Sequence, residues 1–289
     1  MFHHRSVFYR LLIGCFMTAP TLAYAATACV WRSTNTPAPL YLVGTIHALS
    51  GKDYPLPKAY EQAVRESNKI LFEIDPSPKS KFPEMFRKAA KYEYGDGLER
   101  HLHPKTYNLL FHAIKAVSWP WGEVKQYRPW ALASLGWGIR SYNDVFADYG
   151  VDNHLAHLAR RFHKQMGGLA SEAEHLEVLR GMADIDAELL LLDSMINGPK
   201  NLATMKAVTA AWKRGDLGPL TAEMARSRQL NLGGELRLLD YRNLRWAKRL
   251  EPRIQSGESL AVVAGSAHFV GPNNVRELLE KRGYKFEQL

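Results

Sequence analysis

Cysteine is nearly absent. The 289-residue chain has two, Cys15 and Cys29. Cys15 falls in an N-terminal segment expected to be removed, which leaves Cys29 alone and excludes an internal disulfide in the mature protein. Long apolar runs are also missing. Past the N-terminal segment, Leu189 to Ile196 is short and interrupted by Asp193, far below the roughly 20 residues of a membrane-crossing helix. The chain is basic, with a formal charge of +9, but the cations are scattered and no nucleic-acid motif accompanies them. No nucleic-acid partner is expected. A mild basic excess fits solubility, or contact with anionic cell-surface material.

Residues 1–25 read as an export signal. Arg5 and Arg10 make a basic start without acids, Leu11 to Leu22 is mostly apolar, and Ala23-Tyr24-Ala25 fits a small-x-small cleavage site. The protein is therefore expected to be periplasmic or secreted. Leu12-Ile13-Gly14-Cys15 resembles a lipid-attachment box, but Arg10 interrupts the apolar stretch before it, so lipid attachment is the weaker expectation. Residues 26–289 are expected to form one domain.

Two stretches near the chain ends share one plan. Tyr41-Leu42-Val43-Gly44-Thr45-Ile46-His47 and Leu260-Ala261-Val262-Val263-Ala264-Gly265-Ser266-Ala267-His268 each run from apolar residues into Gly-x-x-His. Short apolar runs rich in β-branched residues read as buried strands. Glycine lets the backbone turn or approach another group closely. Each histidine then falls at the carboxyl end of a strand, where open α/β sheets hold their sites. A helical pattern and a strand follow each copy: Lys69 to Asp75 after the first, Tyr284 to Glu287 after the second. The expected fold is α/β, its central sheet built from two strand–Gly-x-x-His–helix–strand units. Two readings of the pair remain open: one shared site, or two tight turns carrying surface histidines.

Between these units, from about residue 82 to 253, the chain is expected to be a mainly helical insertion. Cys29 to Arg32 is predicted as an edge strand, and Pro57 opens a helix burying Ala59, Tyr60, Ala63 and Val64. Glu73 lies in the predicted strand between Phe72 and Ile74. An acid so placed is costly to bury without a partner such as a metal, unless it faces water from an edge strand. Pro104 and Pro129 open further helices, and Ser171 with Glu174 forms a capping box. His154 and His157 have no third ligand at metal spacing and read as solvated. Asn197-Gly198-Pro199 is a helix stop. A long helix is predicted over Glu235 to Ile254, with Arg242, Arg245, Lys248 and Arg249 along one charged, solvated side. Arg242 and Asn243 stand out there as a pair able to orient a carboxylate or carbonyl oxygen.

Taken together, Tyr41 to His47, Leu71-Phe72-Glu73, Tyr127-Arg128-Pro129-Trp130, Gly150-Val151-Asp152, Trp212 with Gly215-Asp216, Tyr241-Arg242-Asn243, and Val263 to His268 with Gly271 resemble the TraB/GumN family, which includes the Tiki membrane proteases. The resemblance covers essentially the whole chain after residue 25. It implies an α/β fold related to erythromycin esterase and the haem-binding ChaN proteins. From the Tiki branch it implies a metal-dependent protease using two Gly-x-x-His histidines and a glutamate, which fall here on His47, His268 and Glu73. One departure is visible: where the family often has Leu-Glu and, further on, Gln, this chain has Leu169-Ala170 and His175.

The chemistry expected of such a set is metal-assisted hydrolysis. Two imidazoles and a carboxylate leave a coordination position open for water, and a divalent metal lowers the pKa of that water and polarises a carbonyl. Glu73 is either a ligand or the general base. Arg242 would stabilise an oxyanion or, with Asn243, bind a substrate carboxylate. Imidazole and carboxylate suit manganese, cobalt, zinc or iron alike. The substrate is expected to be a peptide or small molecule. The alternatives are a non-catalytic protein that binds haem or another ligand through one histidine, and a partner-binding role in envelope polysaccharide production.

Overall fold

A computed structural model describes residues 28–116, 118–134, 147–196 and 198–289. The expected export signal with Cys15, and Asn197 of the expected helix stop, lie outside the described residues.

Six strands form one mixed sheet in the order β4-β3-β5-β2-β1-β6. They are β1 Val30–Ser33, β2 Leu40–Thr45, β3 Lys69–Phe72, β4 Gln165–Gly168, β5 Leu260–Gly265 and β6 Phe286–Gln288. β2 and β5 lie side by side and parallel, with Leu40 opposite Leu260 and Thr45 opposite Gly265. β3 pairs in parallel with β5 on one side and β4 on the other. β1 runs antiparallel to both β2 and β6. Every residue of β2 and β5 is buried, as parallel strands covered on both faces must be.

The covering helices follow from the chain path. From β2 the chain crosses over β5 to β3 through the helix Lys58–Glu66. From β5 it crosses the other way to β6 through the helix Val275–Glu280. Right-handed crossovers in opposite directions put their helices on opposite faces. The first buries Ala59, Tyr60, Ala63 and Val64, as its spacing predicts. The second buries Val275, Leu278 and Leu279 and packs with the helix Tyr241–Gln255, whose apolar stripe is Trp246, Ala247, Leu250 and Ile254. The reversal of direction between β2 and β5 opens a crevice at their carboxyl ends.

Several expectations change in detail. β1 is not an edge: β6 pairs outside it, so the edges are β4 and β6. The helical stretch between β3 and β5 is interrupted by β4, whose sequence Gln-Met-Gly-Gly lacks β-branched residues and depends on its pairing with β3. β3 ends at Phe72, which leaves Glu73 just past the strand. The predicted long helix is present but carries a π-helical turn over Leu236–Asp240, which runs directly into Tyr241–Gln255. The capping box at Ser171 and Glu174 is present. Beyond the sheet, Leu98, Leu110, Ile114, Leu132 and Leu191 form a separate apolar cluster. No helix of the described residues is long and apolar enough to cross a membrane.

Candidate functional site

His47 follows β2, His268 follows β5, and Glu73 follows β3. All three therefore stand at carboxyl ends of adjacent parallel strands, and the two distant histidines meet across one carboxylate. His47 Nε2 is 3.5 Å from Glu73 Oε1. His268 Nε2 is 3.8 Å from Glu73 Oε2. The Gly265 N–H donates to Glu73 Oε1 at 2.9 Å. Gly265 also leaves space here: a Cβ would lie 3.0 Å from His47 Nε2 and 3.4 Å from Glu73 Oε1, so the His47 ring would have to give by a few tenths of an ångström.

Each imidazole is oriented from behind. Asp152, in the first turn of the helix Val151–Arg161, lies 2.8 Å from His47 Nδ1, and its other oxygen accepts from Thr45 Oγ1 at 2.8 Å. Asn243 Oδ1 accepts from His268 Nδ1 at 2.6 Å, and Asn243 Nδ2 donates to Asn273 O at 3.0 Å. With Nδ1 carrying the proton in each ring, both Nε2 atoms are left to face Glu73. Such backing fixes the tautomer and the ring angle. Asn243 is almost fully buried, so its amide holds His268 and does not face the cleft.

Arg242 is the hub. The residue is only 7% exposed, contrary to the solvated side expected for it, whereas Arg245, Lys248 and Arg249 are exposed. Its Nη2 donates to Glu73 Oε2 and lies 3.3 Å from His175 Nδ1. Its Nη1 lies 3.2 Å from His268 Nε2 and donates to Leu238 O at 3.1 Å. The guanidinium carbon sits 4.5 Å from the Trp246 ring centroid, a cation–π contact. The π turn matters here: Tyr241 N–H bonds to Leu236 O, five residues back. That shift of the backbone ladder accompanies capture of Leu238 O by the Arg242 side chain. π turns inside helices recur at functional sites.

These contacts set the charge states. The Asp152 carboxylate, helped by Glu73, raises His47 to about 9, so the free imidazole is protonated at neutral pH. Burial, reinforced by Arg242, lowers His268 to about 3 and His175 to about 4, which leaves both neutral. Burial alone would raise the Glu73 carboxyl. Arg242 and the neighbouring donors outweigh it and hold Glu73 well below the usual carboxylate range.

The structure thus gathers His47, Glu73, Arg242 and His268, with Asn243 directly behind His268. The sequence reading missed two members. Asp152 stood in the Gly150-Val151-Asp152 landmark, but no spacing linked it to a histidine 105 residues away. His175 was visible only as a departure from a family pattern. Among the described residues, no three His, Cys, Asp or Glu side chains are gathered tightly enough to hold a metal ion as they stand. The guanidinium of Arg242 bridges Glu73 and His268 instead.

The sequence profile of the TraB/PrgY/gumN family matches residues 29–288. No curated protein and no solved structure matches the chain.

Proposed function

The chain belongs to the TraB/PrgY/gumN family, and from that premise we propose that it is a metal-dependent, protease-like hydrolase acting on a peptide or small molecule in the cell envelope. The observation that carries the reading is the convergence of two Nε2 atoms on one carboxylate, 3.5 Å and 3.8 Å away. The donor set fits a divalent transition metal in kind, with two imidazoles whose Nδ1 atoms are already held and one carboxylate. The absent Cβ of Gly265 keeps the space beside His47 Nε2 and Glu73 Oε1 open.

His47, His268 and Glu73 would hold the ion, whether manganese, cobalt, zinc or iron. When bound, such an ion supplies a Lewis acid and a water of lowered pKa. Glu73 suits the ligand role better than the base role, because a carboxyl held well below its usual range keeps its charge and accepts protons poorly. His47 must give up its proton for Nε2 to act as a ligand, and Asp152 keeps the remaining Nδ1 proton aligned. Arg242 contributes positive charge for an oxygen on which negative charge develops. Elemental analysis of the purified protein should find about one transition-metal ion per chain. His47→Ala and His268→Ala should each abolish it, and unchanged metal content in either variant would remove the proposal.

A second reading is favoured by one observation: Arg242 already neutralises Glu73 and fills the side of His268 that a metal would share. The same residues would then act without metal, with Arg242 and the protonated His47 supplying the positive charge. Hydrolysis of a peptide library that survives exhaustive chelation would select this reading over the first.

A further inference from the structure

The helices Glu172–Arg180 and Tyr241–Gln255 leave an open groove of about 690 Å³ beside the reactive cluster. That lies within the ~300–1,000 Å³ of typical ligand pockets. Its wall is apolar where Val178, Tyr241 and Leu244 line it, and Tyr241 and Leu244 are 54% and 46% exposed. Tyr241 and Leu244, three residues apart, share one face of their helix and give the groove an apolar strip open to solvent. The groove also shares Glu174, Val178 and Arg245 with the narrow cleft that reaches His175, Arg242 and Trp246.

The charges around it do not cancel. Glu174 is paired with Arg249 and Glu177 with Arg180. The guanidinium of Arg237 donates to the carbonyl oxygens of Val178 and Glu177, so it closes a helix C-terminus and its charge meets no carboxylate there. Arg245 lines both the groove and the cleft and has no hydrogen-bond or ion-pair partner among the described residues. Both carboxylates of the wall are engaged, so the charge left over is positive and stands beside apolar surface.

We propose that this groove binds a peptide carrying a large apolar residue next to a carboxylate, with the apolar side chain on Tyr241 and Leu244 and the carboxylate on Arg245. Naming that peptide a substrate rests on the function proposed above; the binding itself does not. The carboxylate can come from an acidic side chain or from a peptide C-terminus, and both present the planar pair of oxygens a guanidinium recognises.

Calorimetric titration of the full chain tests this with two pairs of short probes. The first pair is acetyl-Phe-Glu-amide and acetyl-Phe-Gln-amide; the second is acetyl-Ala-Phe with a free or an amidated C-terminus. In at least one pair the carboxylate should bind about fivefold tighter, the scale of an exposed ion pair. That pair also identifies the source of the acid. Arg245→Gln should erase the preference, and Leu244→Glu should weaken both members of the pair. Both substitutions are on the surface, and an unchanged melting temperature establishes that the variants fold. His47→Ala, which the hydrolase reading expects to be inactive, should keep the preference. A wild-type protein that hydrolyses no peptide yet still shows the preference sinks the function and not the groove. Equal binding within both pairs, or a preference that persists in Arg245→Gln, overturns the inference.

Discussion

Arg242 and Glu73 form an ion pair across 169 residues of sequence, with side chains only 8% and 12% exposed. Glu73 reaches the pair from the end of β3, and Arg242 from the first turn of a helix on the sheet. Neither charge could remain there alone. Breaking a buried pair from one side typically costs about 3–5 kcal/mol, because the surviving ion is left without compensation.

Arg242→Ala should accordingly destabilise the protein by about 3–5 kcal/mol in urea unfolding. Adding Glu73→Gln should recover much of that loss, since it removes the stranded charge. If the double variant is as unstable as the sum of the two single ones, charge pairing is not what holds this site together.

Gly44 belongs to the floor beneath the site. A Cβ on it would lie 2.5 Å from Cys29 Sγ and 2.9 Å from Ser266 Oγ. Its carbonyl oxygen accepts from both Tyr60 Oη and Trp212 Nε1, so the strand is pinned and has little room to yield. Gly44→Ala should cost about 1–3 kcal/mol through overpacking. Cys29→Ala in the same chain should restore part of it by removing the nearer clash. Thermal unfolding of the two single variants and the double variant measures that coupling; strict additivity would mean that the strain lies elsewhere.

Glu174 links two helices by bonding Arg249 at 2.5 Å while capping Ser171 N–H at 2.9 Å. Arg249 first, and the Ser171 N–H next, lower its carboxyl to about 2. The sign follows from linkage: the folded state binds the proton more weakly than the unfolded chain, where the value is about 4.3. The stabilisation is complete above that pH and is lost as pH falls towards 2. With 34% of its side chain exposed, the contribution should be about 1 kcal/mol or less after solvent screening. The melting temperature of Glu174→Gln should therefore lie below wild type at pH 6, with the gap narrowing below about pH 4 and closing only near pH 2. A constant gap across that range would mean that the carboxylate charge contributes nothing there.

Much of the site was legible in the sequence because its parts are local. Each Gly-x-x-His copy ends a run of apolar residues that must be buried, so the register of β2 and β5 carries His47 and His268 to the carboxyl ends of neighbouring strands. Glu73 could be singled out for a similar reason: it adjoins an apolar strand that offers a carboxylate no hydration. Asp152 could not be linked to His47 that way, since their contact depends on how the helix Val151–Arg161 docks. β4 was missed because Gln-Met-Gly-Gly has no strand pattern of its own. The burial of Arg242 was missed because its helix shows an ordinary charged face, and only packing against the sheet separates Arg242 from Arg245, one turn away.

The sequence by itself determined which segments are apolar and where each Gly-x-x-His turn falls, because burial and backbone sterics act over a few residues. Tertiary structure alone decided the rest: that β5 lies between β2 and β3, that Asp152 and Asn243 stand behind the two imidazoles, and that a guanidinium bridges Glu73 and His268. Those contacts join residues tens to hundreds of positions apart. They exist only after helices on both faces of the sheet have buried Glu73, Arg242, Asn243 and His268, where one polar group replaces the water lost by another.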